Sequence, residues 1–478
     1  MIPLSVAELI TVVRGEPHDI PESPPRITGP VVIDSRLAEP GSLFAALPGE
    51  RVDGHDFAAA AAAGGAAVTL ATRPVGVPAV VVEDVTAALG ALARHTVRKL
   101  GATVVALTGS AGKTSTKDLI AQLLERTAPT VWPAGSFNNE IGLPLTALRA
   151  EESTRYLVLE MGARGIGHIR YLTSLTPPRI GVVLNVGTAH IGEFGGREAI
   201  ATAKGELVEA LPAADDGGVA VLNADDPLVR GMAERTRARV LFFGESEDAP
   251  IRGDRVRLTP DGRPAFRLST PTGCADVTMR LYGEHHVSNA LAAAAVAHEV
   301  GMSAEAIAET LSTAGALSKW RMEVTERADG VTIVNDAYNA NPDSMRAALR
   351  ALAAMGKATK AKGGRTWAVL GQMAELGDEA FAEHDAVGRL AVRLNVSRLV
   401  SVGGREAAWL DMGAKNEGSW GEESVHVSDA RAAVRLLRGE LRPGDVVLVK
   451  ASRSVGLEKI AIELTGDAGG VDGEVAPR

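Results

Sequence analysis

Apolar residues along the chain gather in short β-branched or aliphatic runs, separated by helical repeats and turn residues, and this alternation restarts twice. In the first stretch Val31–Ile33, Ser42–Leu47, Ala66–Leu70 and Ala79–Val82 read as strands. The alanine-rich run Phe57–Ala63 reads as a helix packed closely on a sheet, alanine having the highest helix propensity. The opening MIPLSVAELITVVRGEP has no basic start, and Glu8 interrupts its apolar run, so an amphipathic helix is expected and not a secretory leader. From about residue 99 the runs Thr103–Leu107, Tyr156–Glu160, Ile180–Asn185, Val219–Leu222 and Val240–Phe243 predict buried strands with helices between several of them, hence a mostly parallel sheet covered on both faces. Residues 254–281 instead predict short antiparallel strands, turning at Pro260-Asp261-Gly262 and Pro271-Thr272-Gly273, before an alanine-rich helix over His285–Gly301.

A third alternation begins near Arg321. Strands are expected at Val331–Asn335, Thr366–Leu370, Leu399–Val402 and Val446–Val449, with helices at Pro342–Met355, Asp378–Leu394 and Asp429–Leu441, a Rossmann-like unit. The polar, glycine-rich end AGGVDGEVAPR predicts disorder. The reading is therefore α/β with three domains: a small α/β unit over 1–98, a central parallel sheet with helices on both faces over 99–318, and the Rossmann-like unit over 319–478.

Composition narrows the function. The 478 residues suit about three domains. A formal net charge of −9, with no long lysine or arginine run, argues against a nucleic-acid polymer as partner. Cys274 is the single cysteine, which excludes an intrachain disulfide and a cysteine-based zinc site; it reads as a small buried hydrophobe. No run approaches the ~18 consecutive apolar residues of a membrane span, so no membrane insertion and a cytoplasmic location are expected.

The strongest chemical signal is Gly109-Ser110-Ala111-Gly112-Lys113-Thr114-Ser115, set between a predicted strand and a predicted helix. Glycines let backbone N–H groups turn toward an anion, and the helix N-terminus adds its positive dipole end. Lys113 can neutralise β/γ-phosphate charge, and the Thr114 hydroxyl can ligate Mg²⁺. Leu107 stands where the full Walker pattern would have its first glycine, so this is the shorter TGxxGKT form. Glu160 and His190 each follow a strand of the same sheet, where open α/β sheets bind ligands, and Glu160 offers the hard oxygen that Mg²⁺ prefers. Taken alone, His190 reads as a structural histidine and Lys204 as a solvated helix lysine.

The segments TGSAGKTST, SFNNEIGLP, LEMGA, NVGTAHIGEFG, AKGEL, NADD, GEHHVSNALAA, WRMEV, NDAYNANPDSM, GQMAELG and VKASRS occur in this order and closely resemble the Mur ligases from about Asp34 to Lys459. The resemblance implies an ATP-dependent ligase, of the kind that joins D-alanyl-D-alanine to UDP-MurNAc-tripeptide through an acyl phosphate, acting as a monomer. It implies Glu160 and His190 as Mg²⁺ ligands, one or two ions in all, and a carbamylated Lys204 able to position a second ion. Asn289 matches an adenine contact, Arg321 and Asp336 match nucleotide contacts from the third domain, and Tyr338 would lie beside the base. DSR at 34–36 and the following GSLFAALPGERVDGHDF resemble a uridine-diphosphate-binding domain, with Ser35, Arg36, Leu47 and Gly49 as contacts. Asn138 and Asn139 would touch the precursor's sugar or peptide; as bare sequence they also read as a turn-forming pair. For the dipeptide the expected residues are Asn341, Ser344, Ala374, Glu375 and the Lys450–Ser454 segment, with Lys450 and Arg453 facing its carboxylate.

Two positions depart from the family pattern: Gln372 stands where relatives often carry Asp, and Ser318-Lys319-Trp320 precedes Arg321 in place of other small or proline-containing sequences. The alternatives are the diamino-acid-adding Mur ligase, whose DNPR motif is absent here, folylpolyglutamate synthetase, and, from another class, a nucleotide-switched binding protein that does not ligate.

Overall fold

Each of the three alternations folds around its own sheet. The computed structural model describes residues 1–49, 52–187, 196–361, 363–418 and 423–466. The first sheet has the order β1-β5-β4-β3-β2, from β1 (Glu16–His18), β2 (Val31–Val32), β3 (Leu43–Ala45), β4 (Val68–Ala71) and β5 (Ala79–Val81). Its strands are parallel except β1, which runs antiparallel along β5. Helix α1 (Val6–Val13) is capped by the Ser5 side chain, and α2 (Ala58–Ala63) places Ala58 and Ala61 against Val32, Phe44 and Ala71. Alanine's small side chain is what permits that approach.

Helix α3 (Val85–Leu100) leads to the second sheet. Its strands are β6 (Thr103–Thr108), β7 (Thr130–Val131), β8 (Tyr156–Glu160), β9 (Ile180–Val183), β10 (Val219–Asn223), β11 (Arg239–Gly244), β12 (Ile251–Leu258), β13 (Pro264–Thr270) and β14 (Gly273–Thr278), in the order β14-β13-β12-β11-β10-β9-β6-β8-β7. The strands from β7 to β12 in that order are parallel, and β12-β13-β14 form the expected antiparallel meander. Alternate residues of the parallel strands enter opposite cores: Val104, Ala106, Leu157 and Leu159 on one face, Val105, Leu107, Val158 and Val182 on the other. That two-sided burial is why these strands are continuous apolar runs in sequence. The first of these cores does not stop at the central sheet. Leu89, Leu92 and Ala93 of α3 join it to Leu9, Leu43 and Leu70 of the N-terminal unit.

The third sheet runs β15-β16-β20-β17-β18-β19, from β15 (Glu323–Glu326), β16 (Thr332–Asn335), β17 (Thr366–Leu370), β18 (Arg398–Val402), β19 (Ser424–Val427) and β20 (Val446–Lys450). All its neighbours are parallel except the β15–β16 pair, and it has its own core on each face.

Two expectations need comment. Cys274 is exposed, not buried: it lies on the outward face of β14, an edge strand, with the Arg267 guanidinium 2.7 Å from its sulfur. The C-terminal run AGGVDGEVAPR lies outside the described residues, as does His190. No helix among the described residues is long and apolar enough to cross a membrane.

Candidate active site

Three neighbouring strands of the central sheet, β9-β6-β8, deliver their carboxyl ends to one place. After β6 comes the phosphate loop, which runs straight into helix α4 (Lys113–Glu125). Gly112 has φ 81°, and a Cβ there would lie 2.5 Å from the Asn289 side-chain oxygen, so both conformation and space demand glycine. That contact also places Asn289, on the buried helix His286–Glu299, directly behind the loop. After β9, the Asn185 side-chain oxygen accepts from the Ser110 and Ala111 N–H groups at 3.0 and 2.9 Å, and the Gly187 N–H donates to the Ser110 hydroxyl at 2.9 Å. Asn185 fixes the loop yet was not singled out in the sequence; its signal was its place in the strand-to-loop segment NVGTAH.

Glu160 ends β8 and is buried. One carboxylate oxygen accepts from the Thr114 hydroxyl at 2.9 Å; the other accepts from Ser136 and from the Asn138 amide, both at 2.7 Å. Burial pushes this carboxyl upward. The Lys113 charge, the hydrogen bonds from Asn138 and Ser136, and the Arg321 charge outweigh it and hold the group below its ordinary value. The result is a buried carboxylate dressed by neutral donors. Thr114 and Glu160 together present hard oxygens beside the phosphate loop, and Mg²⁺ is commonly held by one or two carboxylates, water and substrate phosphates, so this donor set fits that ion. Asn138 thereby orients Glu160, whereas the Asn139 side chain accepts from the Gly142 N–H at 2.8 Å and shapes the turn.

Two lysines share this floor. Lys113 donates to the Gly109 carbonyl at 2.8 Å, and burial lowers its pKa against the pull of Glu160. Lys204, on the helix Arg197–Glu209, is buried, and among the described residues no hydrogen-bond or ion-pair partner reaches it. Burial first, and then the Lys113 charge, push its pKa well below the usual lysine range.

The third unit reaches back into the site. Arg321 donates to the Thr114 hydroxyl at 3.1 Å and stacks over Tyr338 at 4.3 Å; Arg453 stacks over Trp320, also at 4.3 Å. Trp320 and Met322, on either side of Arg321, both hold left-handed backbone (φ 59° and 50°), a conformation that costs non-glycine residues energy and concentrates at functional turns. Asn341 caps the helix Pro342–Lys360 in a reciprocal capping box with Ser344, and its amide donates to the Ser110 carbonyl at 3.4 Å. Asp336 accepts from the Met322 N–H and pairs with buried Lys450 at 2.6 Å; Lys450 also donates to the Asn339 carbonyl. Arg453 pairs with Glu458 at 3.0 Å, the Ala374 N–H donates to Ser452, and Glu375 sits at φ 64°. Missed in the sequence is the buried cluster Lys117–Asp118–Ser318. Lys117 pairs with Asp118 at 2.7 Å, and Asp118 accepts from the Ser318 N–H at 2.9 Å and hydroxyl at 3.0 Å, tying α4 to the segment that precedes Arg321.

In the N-terminal unit Ser35 and Arg36 follow β2, and Leu47 and Gly49 follow β3, so all four gather at the carboxyl ends of adjacent parallel strands. Arg36 is exposed and forks onto Asp34 at 2.6 Å.

Similarity to known proteins agrees with this architecture. Residues 29–100 match the model for the Mur ligase family catalytic domain, 107–297 the Mur ligase middle domain, and 320–453 the Mur ligase glutamate ligase domain. The chain is 50% identical to the UDP-N-acetylmuramoyl-tripeptide–D-alanyl-D-alanine ligase of Mycobacterium tuberculosis, with 98% of each chain covered. MurF of Acinetobacter baumannii superposes with a TM-score of 0.84 at 32% identity, covering 97% of this chain and 99% of that one. MurF ligase of Thermotoga maritima, solved in complex with ADP, gives 0.77 at 30% identity over 92% and 98%. With the phosphate loop, Glu160 and the returning Arg321 in one pocket and relatives of this identity spanning both chains, the protein belongs to the Mur ligase family.

Proposed function

We propose that this chain is the ligase that adds D-alanyl-D-alanine to UDP-MurNAc-tripeptide at the expense of ATP, giving the pentapeptide precursor of the cell wall. The observation that carries the reading is the convergence of Lys113, Thr114 and Glu160 with Arg321 from a different domain, within an architecture shared along nearly its whole length with ligases of that name.

A peptide carboxylate is a poor electrophile. Transfer of the γ-phosphoryl group to it breaks the bond to ADP and forms an acyl phosphate. The dipeptide's neutral amine then forms the C–N bond and gives up a proton to solvent or to the departing phosphate, the C–O bond to phosphate breaks, and phosphate leaves with that electron pair. Both steps crowd negative charge, which Lys113, the phosphate-loop N–H groups and Arg321 are placed to offset. Bound Mg²⁺ would supply further charge neutralisation, held by Thr114, Glu160 and His190. Lys204 supports a second task. Only a neutral amine adds to CO2, and burial beside Lys113 shifts Lys204 toward that form; the resulting carbamate would be an anion facing a cation. Ser35, Arg36, Leu47 and Gly49 would receive the uridine diphosphate, Asn138 and Asn139 the adjoining sugar and peptide, and Asn289, Asp336 and Tyr338 the nucleoside. Arg453 is the cation available to the dipeptide carboxylate; Lys450, already closed on Asp336, would act by holding the strand end.

The test is phosphate release from the purified full chain with ATP and Mg²⁺. Release that needs both UDP-MurNAc-tripeptide and D-Ala-D-Ala supports the assignment. Release indifferent to both would mark a nucleotide switch, and release with a free diamino acid and the precursor one residue shorter than the tripeptide would mark the other Mur ligase. Full activity of Lys204→Ala with no added bicarbonate or short-chain acid would remove the carbamate role.

A further inference from the structure

Beside Glu160 stands a polar pair that the ligation steps above do not use. The turn that crosses the carboxyl end of β8 begins with Asn138 and Asn139. The Asn138 side chain bonds Glu160, its carbonyl accepts from the Gly162 N–H at 2.9 Å, and Asn139 shapes the turn. The next residue is Glu140. Its carboxylate accepts from His168 Nε2 at 3.3 Å, while His168 Nδ1 accepts from the Arg164 N–H, also at 3.3 Å. In that arrangement the ring holds one proton, aimed at Glu140, so the carboxylate is oriented without its charge being cancelled. Among the described residues no lysine or arginine pairs with Glu140. His168 begins the helix His168–Leu175, whose first turn is pinned by Glu206, buried on the same helix as Lys204. The Glu206 carboxylate accepts from the Gly167 N–H at 2.5 Å and from the Arg170 N–H at 3.0 Å. Glu140 is 34% exposed and His168 18%, and a pair this open contributes little to stability.

The pair also lies on the side of the central unit that faces the first one. Helix α3 packs on the helix His168–Leu175, with Leu175 filling the space beside Gly90. Tyr171, one turn after His168, feels both units: burial pushes its hydroxyl up, Asp84 and Glu140 push it further, and Arg94 opposes them. Asp84 caps α3 and follows β5, whose carboxyl end shares one edge of the first sheet with those of β4, β3 and β2. Two strand spacings, about 10 Å, separate β5 from β3, where the uridine diphosphate is assigned. On the other side, Glu140 is two residues from Asn138, so their α-carbons are about 7 Å apart or less. A precursor gripped at the first sheet, with its terminal carboxylate at the phosphate loop, passes this pair. Its third residue is the one activated, and an amine ending a lysine-length side chain reaches about 6 Å from the α-carbon, which matches the step from Glu160 to Glu140. Within the ligase reading above, we propose that Glu140, oriented by His168, binds the side-chain ammonium of the precursor's third residue. The chain thereby selects a tripeptide that ends in a diamino acid.

The experiment uses the full chain with ATP, Mg²⁺ and D-Ala-D-Ala, and compares matched UDP-MurNAc-tripeptides. One pair ends in lysine or in norleucine, the other in 2,6-diaminopimelate or in 2-aminopimelate, so each pair differs only by the side-chain amine. In the pair that is ligated faster, wild type should show a KM about 10- to 100-fold lower for the amine-bearing donor, the range for a charged hydrogen bond. Glu140→Gln keeps the side chain's size and an acceptor for His168. It should raise the KM of the amine-bearing donor to near that of its partner, and leave the KM for the amine-free donor, ATP and D-Ala-D-Ala within about 2-fold. Glu140→Asp should keep part of the preference. Equal KM for both donors in wild type, a preference that survives Glu140→Gln, or a variant that weakens both donors alike would each overturn the assignment while ligation itself stands. If no donor supports phosphate release with D-Ala-D-Ala, the ligase reading falls, and this assignment with it.

Discussion

Two pairs of buried lysines serve opposite ends. At the joint between units, Lys117 and Lys450 are closed by carboxylates, on Asp118 at 2.7 Å and Asp336 at 2.6 Å. On the catalytic floor, Lys113 leans on a backbone carbonyl and Lys204 has no partner among the described residues. Burying a charge is costly in either place, and a carboxylate within reach compensates part of that cost. Where the protein supplies the carboxylate, the lysine is part of the scaffold. Where no carboxylate closes on the lysine, its nitrogen is left for a group that arrives from outside: phosphate at Lys113, and at Lys204, whose pKa burial drives down, CO2. Glu160 follows the same logic with reversed sign: neutral donors surround it, and its charge stays available to a metal.

The contrast fails if the two classes respond alike to mutation. The largest effect should come from Lys117→Met, which strands Asp118 in the interior and should lower folding stability by about 3–5 kcal/mol in denaturant titration. Next, Lys113→Ala should reduce turnover by about 10²–10³-fold, the scale of losing one preorganised group that meets developing charge, while urea melts stay close to wild type. Lys204 gives a pH test. Its folded pKa is depressed, so unfolding takes up a proton at every pH between that value and the ordinary lysine range. It therefore opposes folding at neutral pH, and the penalty fades as pH rises toward 10. In CO2-depleted buffer Lys204→Met should melt higher than wild type at pH 7, by roughly 2–4 °C per kcal/mol recovered, with the gap narrowing at pH 10. The smallest effect belongs to a solvated pair: Lys99→Ala, removing a 3.0 Å contact with Glu8, should change stability by about 1 kcal/mol or less and lose even that in high salt.

How much of this was legible depends on whether the signal was local. Strands buried on both faces, such as Tyr156–Glu160 and Thr366–Leu370, appear in sequence as continuous apolar runs and were placed to the residue. Edge strands were not: Glu16–His18 and Glu323–Glu326 bury little and carry charge, so no period marks them. The phosphate loop is likewise contiguous, and its glycines and lysine declare it. Residues that act through partners far along the chain stayed silent. Lys117, Asp118 and Ser318 are ordinary letters in a helix and a linker; their meaning arises only when residues 200 positions apart meet. Cys274 misled for a related reason, since composition alone says nothing about which side of an edge strand a residue faces.

The apolar core that α3 shares with both the first and second sheets has a mechanical consequence. Leucines from two units interlocked along one helix cannot slide apart without exposing oil to water, so whatever the first unit grips is held at a fixed distance from the phosphate loop. The third unit builds its cores from its own elements, with Tyr282 of the central unit packed against one of them, and meets the loop through polar groups, Arg321 on Thr114 and Asn341 on Ser110. Of the three surfaces around the reaction, two are cast as one anvil, and any stroke has to come from the remaining one.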